Sequence, residues 1–562
     1  MILAYEFEYV SQNLVLENFL KVISEEFELA YEIHRRDTLT TLYVDADEQK
    51  QHEFADFISS NLPVSLFLRS SNAKVVDSIT GEKIKILNTA IFLPFTKKAL
   101  ESARDEKSPY FNSPFVPNEV GEYKNIKDIS LKFESKNGIV IGSDSKGYSD
   151  IYRRVAKVLA DGEKVKIDTP NGNFTFFKVE KGSLDGLKHF EIIPTDLSLV
   201  QKMVNLKNEE IEALATLEKP IIRAKVNMVY ESFGILPTKR VEIRLANTLL
   251  MQFICEELKR NGVEFLAKSS DLFASQYRLS CDLDIPKIPD IKISVLENGE
   301  IFILNTTKYS SPSLLKGLNK FKEPSIKQFV SIIKERNLFE KKSSCLYFSK
   351  RYSDSILYHD DKKGVLPLVD FPKFPNIAEI FRTIKKQDES GAKLVKNYKK
   401  EFLELYKSLQ KVKIPKKGVN NLFNTLSFVS LIVGFSDNFK DAAEILIQKA
   451  EDFGGQKGVR IDFKLLEEEK INSSFDPYKL LRSAMSFKLA GTDDMTLSFG
   501  VLESFSYFIS DIADAHKESL GSEYITLGGS LFSYPLIAQL CAKNLLPNHK
   551  ICFNKELPIE IS

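Results

Sequence analysis

The first 75 residues carry the pattern that most constrains the fold, because two hydrophobic periods follow each other in a fixed order. "ILAYEFEYV" alternates apolar and polar residues as a strand does, and "NLVLENFLKVISEEF" (13–27) repeats apolar residues at helical spacing. "LAYEIHR" and "TLTTLYVDA" predict two further strands, "EQKQHEFADFISSN" a helix, and "VSLFLRS" a last strand. The order β-α-β-β-α-β predicts a ferredoxin-like α+β domain over 1–75.

The rest of the chain divides by pattern into three further regions, as expected because 562 residues exceed what one hydrophobic core holds. Residues 76–128 are rich in Pro, Asn and aromatic residues and predict an ordered loop with one weak helix. Residues 129–285 alternate strands and helices, with Gly262 where a helix C′ residue belongs. Residues 286–562 predict a second α/β region, opened by a hairpin whose turn is Asn298-Gly299.

Composition excludes several classes of protein. Lys and Arg number 78 against 77 Asp and Glu, so the clustered basic surplus of a nucleic-acid binder is missing. The five cysteines form no C-x-x-C pair and the six histidines no H-x-x-H pair, which predicts no metal site and no disulfide framework. The longest apolar run, "LSFVSLIVGF" (426–435), is about half a membrane span. The opening "MILAYEFEYV" reads as a strand, so we expect a cytoplasmic protein without a signal peptide.

One stretch suggests a binding site. "ITLGGSLFSYPLIAQL" (525–540) predicts a strand, then Gly528-Gly529, then a helix, and such a turn aims backbone N–H groups at a phosphate. Thr526, Gly528 and Gly529 are therefore candidate nucleotide-binding residues. The alternative is a tight turn that needs glycine for conformation or close packing. Similarly, Asp493-Asp494 before a helix is either a carboxylate pair or an N-cap.

Five stretches, in chain order, carry a resemblance to a known family: "EKSPYFNSPFVPNEVG", "IPTDLSLVQKMVNLKNEEIEALATLEKPII", "LPLVDFPKFPNIAEI", "SSFDPYKLLRSAM" and "ITLGGSLFSYPLIAQL". They resemble segments of the HypF carbamoyltransferase family, which makes the cyanide ligands of nickel–iron hydrogenases. The resemblance is greatest to diverged relatives, the HydE-type hydrogenase formation proteins. It implies an acylphosphatase-like domain (1–75), a cysteine-free remnant of a zinc-finger region (76–128), a YrdC-like domain (129–285) and a kinase-like, actin-fold domain (286–562).

The family's catalytic motifs are not matched. The segment that corresponds to the acylphosphatase pattern G-x-V-Q-G-V-G-F-R is "EYVSQNLVLENFL", which has neither Gly nor Arg. The zinc region has no cysteine, and we expect Phe92, Tyr110, Phe111 and Phe115 to hold it by packing. In the YrdC-like region only Lys181 and Lys188 remain of a basic loop that in the family faces a triphosphate. The C-terminal region lacks the family's H-x-x-x-H ligands and its late N-D-G-G aspartate.

The resemblance therefore predicts an accessory protein of nickel–iron hydrogenase maturation that acts as a binding scaffold, with no catalytic residue, metal or cofactor. Its expected partner is a hydrogenase maturation protein or a hydrogenase subunit. Two alternatives stay open. The first alternative is a residual ATP-dependent carbamoyltransferase that uses Lys188 and Gly528-Gly529. The second is an assembly protein unrelated to hydrogenase that shares only the folds.

Overall fold

The computed structural model describes residues 2–86, 93–120, 129–169, 171–187, 189–271, 275–282, 287–372, 376–415, 420–467 and 472–561. The chain divides into two compact units. The first comprises Met1–Val295 with Asn305–Ser311, and the second comprises Leu296–Leu304 with Pro312–Ser562. The boundaries at 75, 128 and 285 inferred from the sequence stay predictions.

The first unit begins with the predicted β-α-β-β-α-β order. Its elements are β1 (Ile2–Tyr9), α1 (Val15–Glu26), β2 (Tyr31–Arg36), β3 (Leu39–Asp45), α2 (Glu48–Asn61) and β4 (Leu68–Val76). The four strands form an antiparallel sheet in the order β2-β3-β1-β4. The sheet buries alternate residues of β1, including Tyr5 and Phe7, and Phe54 of α2 packs edge-on against Tyr5. Alternation and helical spacing thus predicted this part of the fold correctly.

A large mixed sheet forms the rest of the first unit, in the order β15-β11-β12-β9-β13-β8-β7-β14-β5-β6, with β10 beside β11. The elements are α3 (Lys97–Arg104), β5 (Ser130–Ser135), β6 (Gly138–Gly142), α4 (Ser145–Ala160), β7 (Val165–Thr169), β8 (Gly172–Lys178), β9 (Glu191–Pro194), α5 (Val200–Met203), β10 (Val204–Asn205), α6 (Asn208–Ala215), β11 (Ile221–Val226), α7 (Met228–Ser232), β12 (Arg240–Ile243), α8 (Leu249–Arg260), β13 (Phe265–Ser269), β14 (Tyr277–Asp282) and β15 (Lys292–Val295). Helices α4 and α8 pack together, and Tyr152 stacks on Phe253 with ring centroids 5.3 Å apart.

The second unit is built on a seven-stranded sheet in the order β20-β21-β19-β18-β17-β22-β23. Its elements are β16 (Ile301–Ile303), α9 (Pro312–Leu315), α10 (Pro324–Glu335), β17 (Ser343–Tyr347), β18 (Ser355–Asp360), β19 (Gly364–Asp370), α11 (Ile377–Gln387), α12 (Glu389–Glu401), α13 (Leu403–Leu409), α14 (Leu422–Ile432), α15 (Phe439–Glu451), β20 (Lys464–Leu465), β21 (Ser473–Asp476), α16 (Pro477–Leu489), α17 (Asp494–Leu520), β22 (Tyr524–Gly528), α18 (Pro535–Leu545) and β23 (Lys550–Cys552). Strands β17, β18 and β19 form an antiparallel meander, and β22 and β23 run parallel to β17.

Aromatic side chains fill the second unit's core. Phe348, which follows β17, makes edge-to-face contacts with Phe371, Phe505 and Phe532. Such pairs stabilise a core beyond the area they bury. The predicted turn at Asn298-Gly299 is present, with Gly299 at φ 80°. Within the described ranges, the helices include none long and apolar enough to cross a membrane.

Candidate functional site

The turn after β22 brings together the three candidate residues Thr526, Gly528 and Gly529. Thr526 is buried opposite Cys345 of β17. Gly529 adopts φ 101°, and a Cβ on it would lie 2.1 Å from the carbonyl oxygen of Phe348. Only glycine fits there, because the backbone conformation and the approach of the neighbouring chain both exclude a side chain. The helix does not follow directly as predicted, since a 3-10 turn (Ser530–Ser533) precedes α18.

The N–H groups of this turn are already used by the chain itself. The Gly529 N–H donates to the Ile559 carbonyl at 2.7 Å. The Ser530 N–H and hydroxyl both donate to Oε2 of Glu560, at 2.9 and 2.8 Å, and the Tyr347 hydroxyl lies 3.4 Å from the same oxygen. A carboxylate of the chain therefore occupies the place at which this turn would hold an anion.

The segment that carries Glu560 is firmly held by α10. The Glu335 carboxylate accepts the N–H groups of Lys555 and Glu556 at 2.9 and 2.6 Å. Oε1 of Gln328 accepts the N–H of Ile561 at 2.8 Å. Glu335 is partly exposed, and the desolvation of its carboxylate raises its pKa despite the hydrogen bonds that favour its charged form. Glu560 is therefore a fixed part of the site.

Of the two candidate lysines, only Lys181 is described, and it belongs to the first unit, whereas the turn after β22 belongs to the second. Lys181 lies exposed in the turn after β8, in the first unit, where Gly182 adopts φ 82°. Lys188 lies outside the described residues. The neighbouring His189 is exposed, and its carbonyl accepts the Ser269 hydroxyl at 3.0 Å.

A buried charge cluster in the first unit was missed by the sequence analysis. Arg244 follows β12 with only 2% of its side chain exposed, and its Nη1 lies 2.5 Å from Oδ1 of Asp290 and 3.7 Å from Oε2 of Glu191. Lys268 of β13 lies 3.0 Å from the same Glu191 oxygen. Burial acts to raise the pKa of Asp290, but Arg244 and Lys268 outweigh it and lower that pKa. Two cations thus stand at the sheet, each compensated by a carboxylate.

The sequence held a weak signal for this cluster. Arg244 and Lys268 interrupt apolar runs, "VEIRLA" and "FLAKSS", at positions where a strand leads into its loop. A charged residue within such a run is paired when it is buried. The partners Glu191 and Asp290 come from distant segments, so only the fold identifies them.

The loop after β1 has a similar arrangement. With Gln12 matched to the glutamine of the acylphosphatase pattern, the arginine of that pattern falls on Glu17. Glu17 is fully buried in the first turn of α1, and its Oε1 accepts Arg35 at 2.6 Å and Thr40 at 2.8 Å. Arg35 also donates to the carbonyls of Tyr9 and Ser11. The loop is therefore closed by an internal ion pair.

The cysteine-free segment is held by packing, as the sequence predicted in part, and by one partly buried carboxyl. Tyr110 and Phe115 pack against the core formed by α4 and α8, and Phe111 is half-buried. Thr96 caps α3 and donates to Glu119 at 3.1 Å, and burial raises the pKa of that carboxyl. Phe92 lies outside the described residues. In the described part of the chain no three His, Cys, Asp or Glu side chains are arranged to hold a metal ion.

Asp493 is an N-cap in the structure. Its Oδ1 accepts the Thr496 N–H at 2.9 Å at the start of α17, and Asp494 pairs with Lys449. The capping alternative for this pair of aspartates is therefore the one that the geometry supports.

The second unit should lose stability as pH rises. Burial raises the pKa of Asp354, which accepts the Ser349 and Leu422 N–H groups, well above its usual range, and the pKa of Glu335 is also raised. The folded chain then keeps protons that the unfolded chain releases near pH 4, so the stabilisation is full below that pH and is lost as pH rises through the folded pKa values. Urea unfolding between pH 4.5 and 8 should show this slope, reduced in Asp354→Asn.

The matched control for this titration is Asp493→Asn. The Thr496 hydrogen bonds lower the pKa of Asp493, so it stays charged in both states throughout this pH range and its replacement should leave the slope unchanged. Stability that rises with pH in the wild-type chain would contradict the assignment.

Comparisons with known proteins agree with the architecture described above. No protein-family model matches the chain. Two solved HypF structures match it, although they share little sequence. Full-length HypF in its phosphate- and nucleotide-bound form has a TM-score of 0.64 at 15% identity and covers 100% of this chain and 96% of its own. HypF of T. kodakarensis has a TM-score of 0.69 at 12% identity, with 99% and 96% covered. The chain is thus a HypF-like protein in fold, which confirms the predicted fold class.

Sequence similarity points to one particular relative. The chain is 26% identical to protein HydE of Wolinella succinogenes over 499 residues, which are 87% of this chain and 86% of that protein. The resemblance inferred from the quoted segments, to HypF and within it to HydE-type proteins, is therefore confirmed.

Proposed function

We propose that this chain assists the maturation of a nickel–iron hydrogenase in the cytoplasm, and that it does so as a binding scaffold rather than as a carbamoyltransferase. The carboxylate of Glu560 at the turn after β22 carries the proposal. Similarity to HydE and the HypF-like fold support the role in hydrogenase maturation.

Electrostatics argues against nucleotide chemistry at this turn. A bound triphosphate would have to displace Glu560 from three donor groups and would then face its negative charge within a few ångströms. In the first unit, Arg244 and Lys268 are compensated by Glu191 and Asp290. Fixed donors aimed at developing charge are usually the largest contribution to such catalysis. Here these donors are engaged within the fold.

The well-packed hydrophobic cores of the two units support a binding role. Both units have extensive buried cores, and the turn at Gly529 combines a backbone conformation and a close backbone contact that only glycine permits. Well-packed cores, together with buried charged groups that are paired within the chain, suit a protein whose surface binds a maturation protein or a hydrogenase subunit.

The enzyme alternative predicts a different response to nucleotide. A residual ATP-dependent carbamoyltransferase would be stabilised by ATP and Mg²⁺, by about 2.7 kcal/mol at a ligand concentration of 100 Kd. The scaffold proposal expects no rise in melting temperature with ATP and no release of AMP or pyrophosphate when carbamoyl phosphate is added. An ATP-dependent rise together with carbamoyl-dependent turnover would establish the enzyme.

The partner is tested separately. The affinity-tagged chain, purified from cells that express hydrogenase, should retain a maturation protein or a hydrogenase subunit. A Gly529→Ala chain, in which the second unit is expected to be destabilised, serves as the matched control. Recovery of neither kind of protein by the wild-type chain would refute the scaffold proposal.

A further inference from the structure

Strand β6 lies at one end of the large sheet of the first unit, and within the described ranges it pairs only with β5. A two-residue turn makes Ser135 and Gly138 a hydrogen-bonded pair, and such pairs alternate with non-hydrogen-bonded pairs along an antiparallel ladder. The backbone N–H and C=O groups of Ile139 and Ile141 therefore point away from β5. This edge of the sheet offers four hydrogen-bonding groups to another strand.

The outer face of this edge is apolar. Val140 packs against the core that includes α4, so alternation directs Ile139 and Ile141 to the opposite face of the sheet. Their exposed fractions are 59% and 65%. The residues directly opposite them on β5 are Glu134 and Lys132, which form an ion pair with each other. Apolar side chains thus lie on the outermost strand and charged side chains on the strand next to it.

This arrangement differs from that of other edge strands in the first unit. Edge strands commonly avoid pairing with other chains because they carry charges, proline or a bulge. Strands β2 and β4 are the edges of the four-stranded sheet and carry such charges, including Arg36 and Lys74. Strand β6, with the sequence "GIVIG", has no charged residue and no proline, and its ladder with β5 has a regular register. Its edge is therefore suited to pairing with a further strand.

The sequence around β6 is complementary to itself. When two copies of "KNGIVIGSD" (136–144) run antiparallel with Val140 at the centre, Ile139 of each copy lies opposite Ile141 of the other. These are the residues whose backbone groups point outward, so four hydrogen bonds can form in this register. Lys136 then lies opposite Asp144, and opposite charges meet at both ends of the pair. A shift of two residues, the smallest that keeps outward-pointing groups paired, would separate these charges.

We propose that β6 pairs antiparallel with β6 of a second copy of this chain, in the register centred on Val140. The resulting dimer is isologous, because a twofold axis passes through the central pair. Ile139 and Ile141 of both copies form one apolar cluster on the outer face, with the charged strand β5 on each side. Pairing along one short strand buries less area than a standard interface, so we expect a micromolar Kd. The dimer goes beyond the scaffold role and does not depend on it.

Sedimentation equilibrium of the full chain at about 1 to 100 µM should give a mass that rises with concentration toward that of two chains. Ile141→Lys places a charge against Ile139 of the second copy and should raise the dissociation constant at least about tenfold. The position is exposed, so the melting temperature of the variant should match that of the wild type. Val229→Lys makes the same kind of change at another exposed apolar position of the first unit and should leave the dissociation constant unchanged.

A charge reversal tests the ends of the pair. Lys136→Glu places a carboxylate opposite Asp144 of the second copy and should raise the dissociation constant about fivefold, with a smaller effect in about 0.5 M NaCl because salt screens the repulsion. Asp144 itself is retained because it caps α4 through the Gly147 N–H. Lys181→Glu changes the net charge equally at an exposed turn away from β6 and should have no effect.

Disulfide formation tests the register. Val140→Cys brings two thiols together at the central pair, where Cα atoms of an antiparallel ladder are about 4.5 Å apart, and mild oxidation should link the two copies. Ser143→Cys should not link them, because these positions would be about 20 Å apart along the strands. The wild-type chain controls for its own five cysteines. A monomer at about 100 µM, equal effects of Ile141→Lys and Val229→Lys, or equal cross-linking at positions 140 and 143 would each overturn the proposal.

Discussion

Replacing Arg244 by methionine should destabilise the first unit by about 3 kcal/mol, because it leaves the Asp290 carboxylate without its buried cation, whereas Glu191 keeps Lys268. Methionine conserves most of the side chain's volume, so the loss reports charge rather than a cavity. The measurement is the free energy of unfolding of the first unit in urea.

An exposed ion pair in the same sheet provides the control. Arg278 pairs with Asp168 at 3.1 Å but is 51% exposed, so Arg278→Met should cost no more than about 1 kcal/mol. A second test combines Arg244→Met with Asp290→Leu, which removes one stranded carboxylate and should recover part of the loss. Equal destabilisation by Arg244→Met and Arg278→Met would show that the cluster is not energetically special.

The second large effect is expected at Gly529. Gly529→Ala should destabilise the second unit by at least about 3 kcal/mol, because alanine is strained at φ 101° and its Cβ would lie 2.1 Å from the Phe348 carbonyl oxygen. Phe348 sits in the aromatic core and β22 is paired on both sides, with β17 and β23, so neither segment can move without disturbing the sheet. The urea midpoint of the second unit measures the effect.

Gly364→Ala separates the two causes. Gly364 adopts φ 70° in the same unit, but a Cβ there meets nothing within 4 Å. Alanine at this position carries only the cost of the left-handed conformation, about 1–2 kcal/mol. If both substitutions cost the same, the close approach to Phe348 contributes nothing, and the turn tolerates more than its geometry indicates.

These positions also bear on the proposed function. Glu17, Glu560 and the pair Glu191 with Asp290 each place an internal carboxylate against donors or cations. A catalytic site keeps such donors free for substrate. A scaffold gains stability by engaging them. Removal of Glu560 alone, as Glu560→Gln, would therefore be informative when it is added to the nucleotide titration.

Sequence periodicity determined the local structure where one period was strong. The β-α-β-β-α-β order and the turn at Asn298-Gly299 follow from alternation, helical spacing and a turn dipeptide, which act between near neighbours. Asp493 could be recognised as a cap for the same reason, because its partner Thr496 is three residues away.

What lies at the binding positions was decided by the tertiary structure. From the sequence, the Gly528-Gly529 turn could be interpreted as a phosphate site. In the structure Glu560 accepts the Ser530 N–H from 30 residues further along the chain, and Asp290 pairs with Arg244 from 46 residues away. The period of the hydrophobic pattern fixes the direction in which a side chain points. The residue that it contacts depends on the order of the strands in the sheet, and packing of the whole core sets that order.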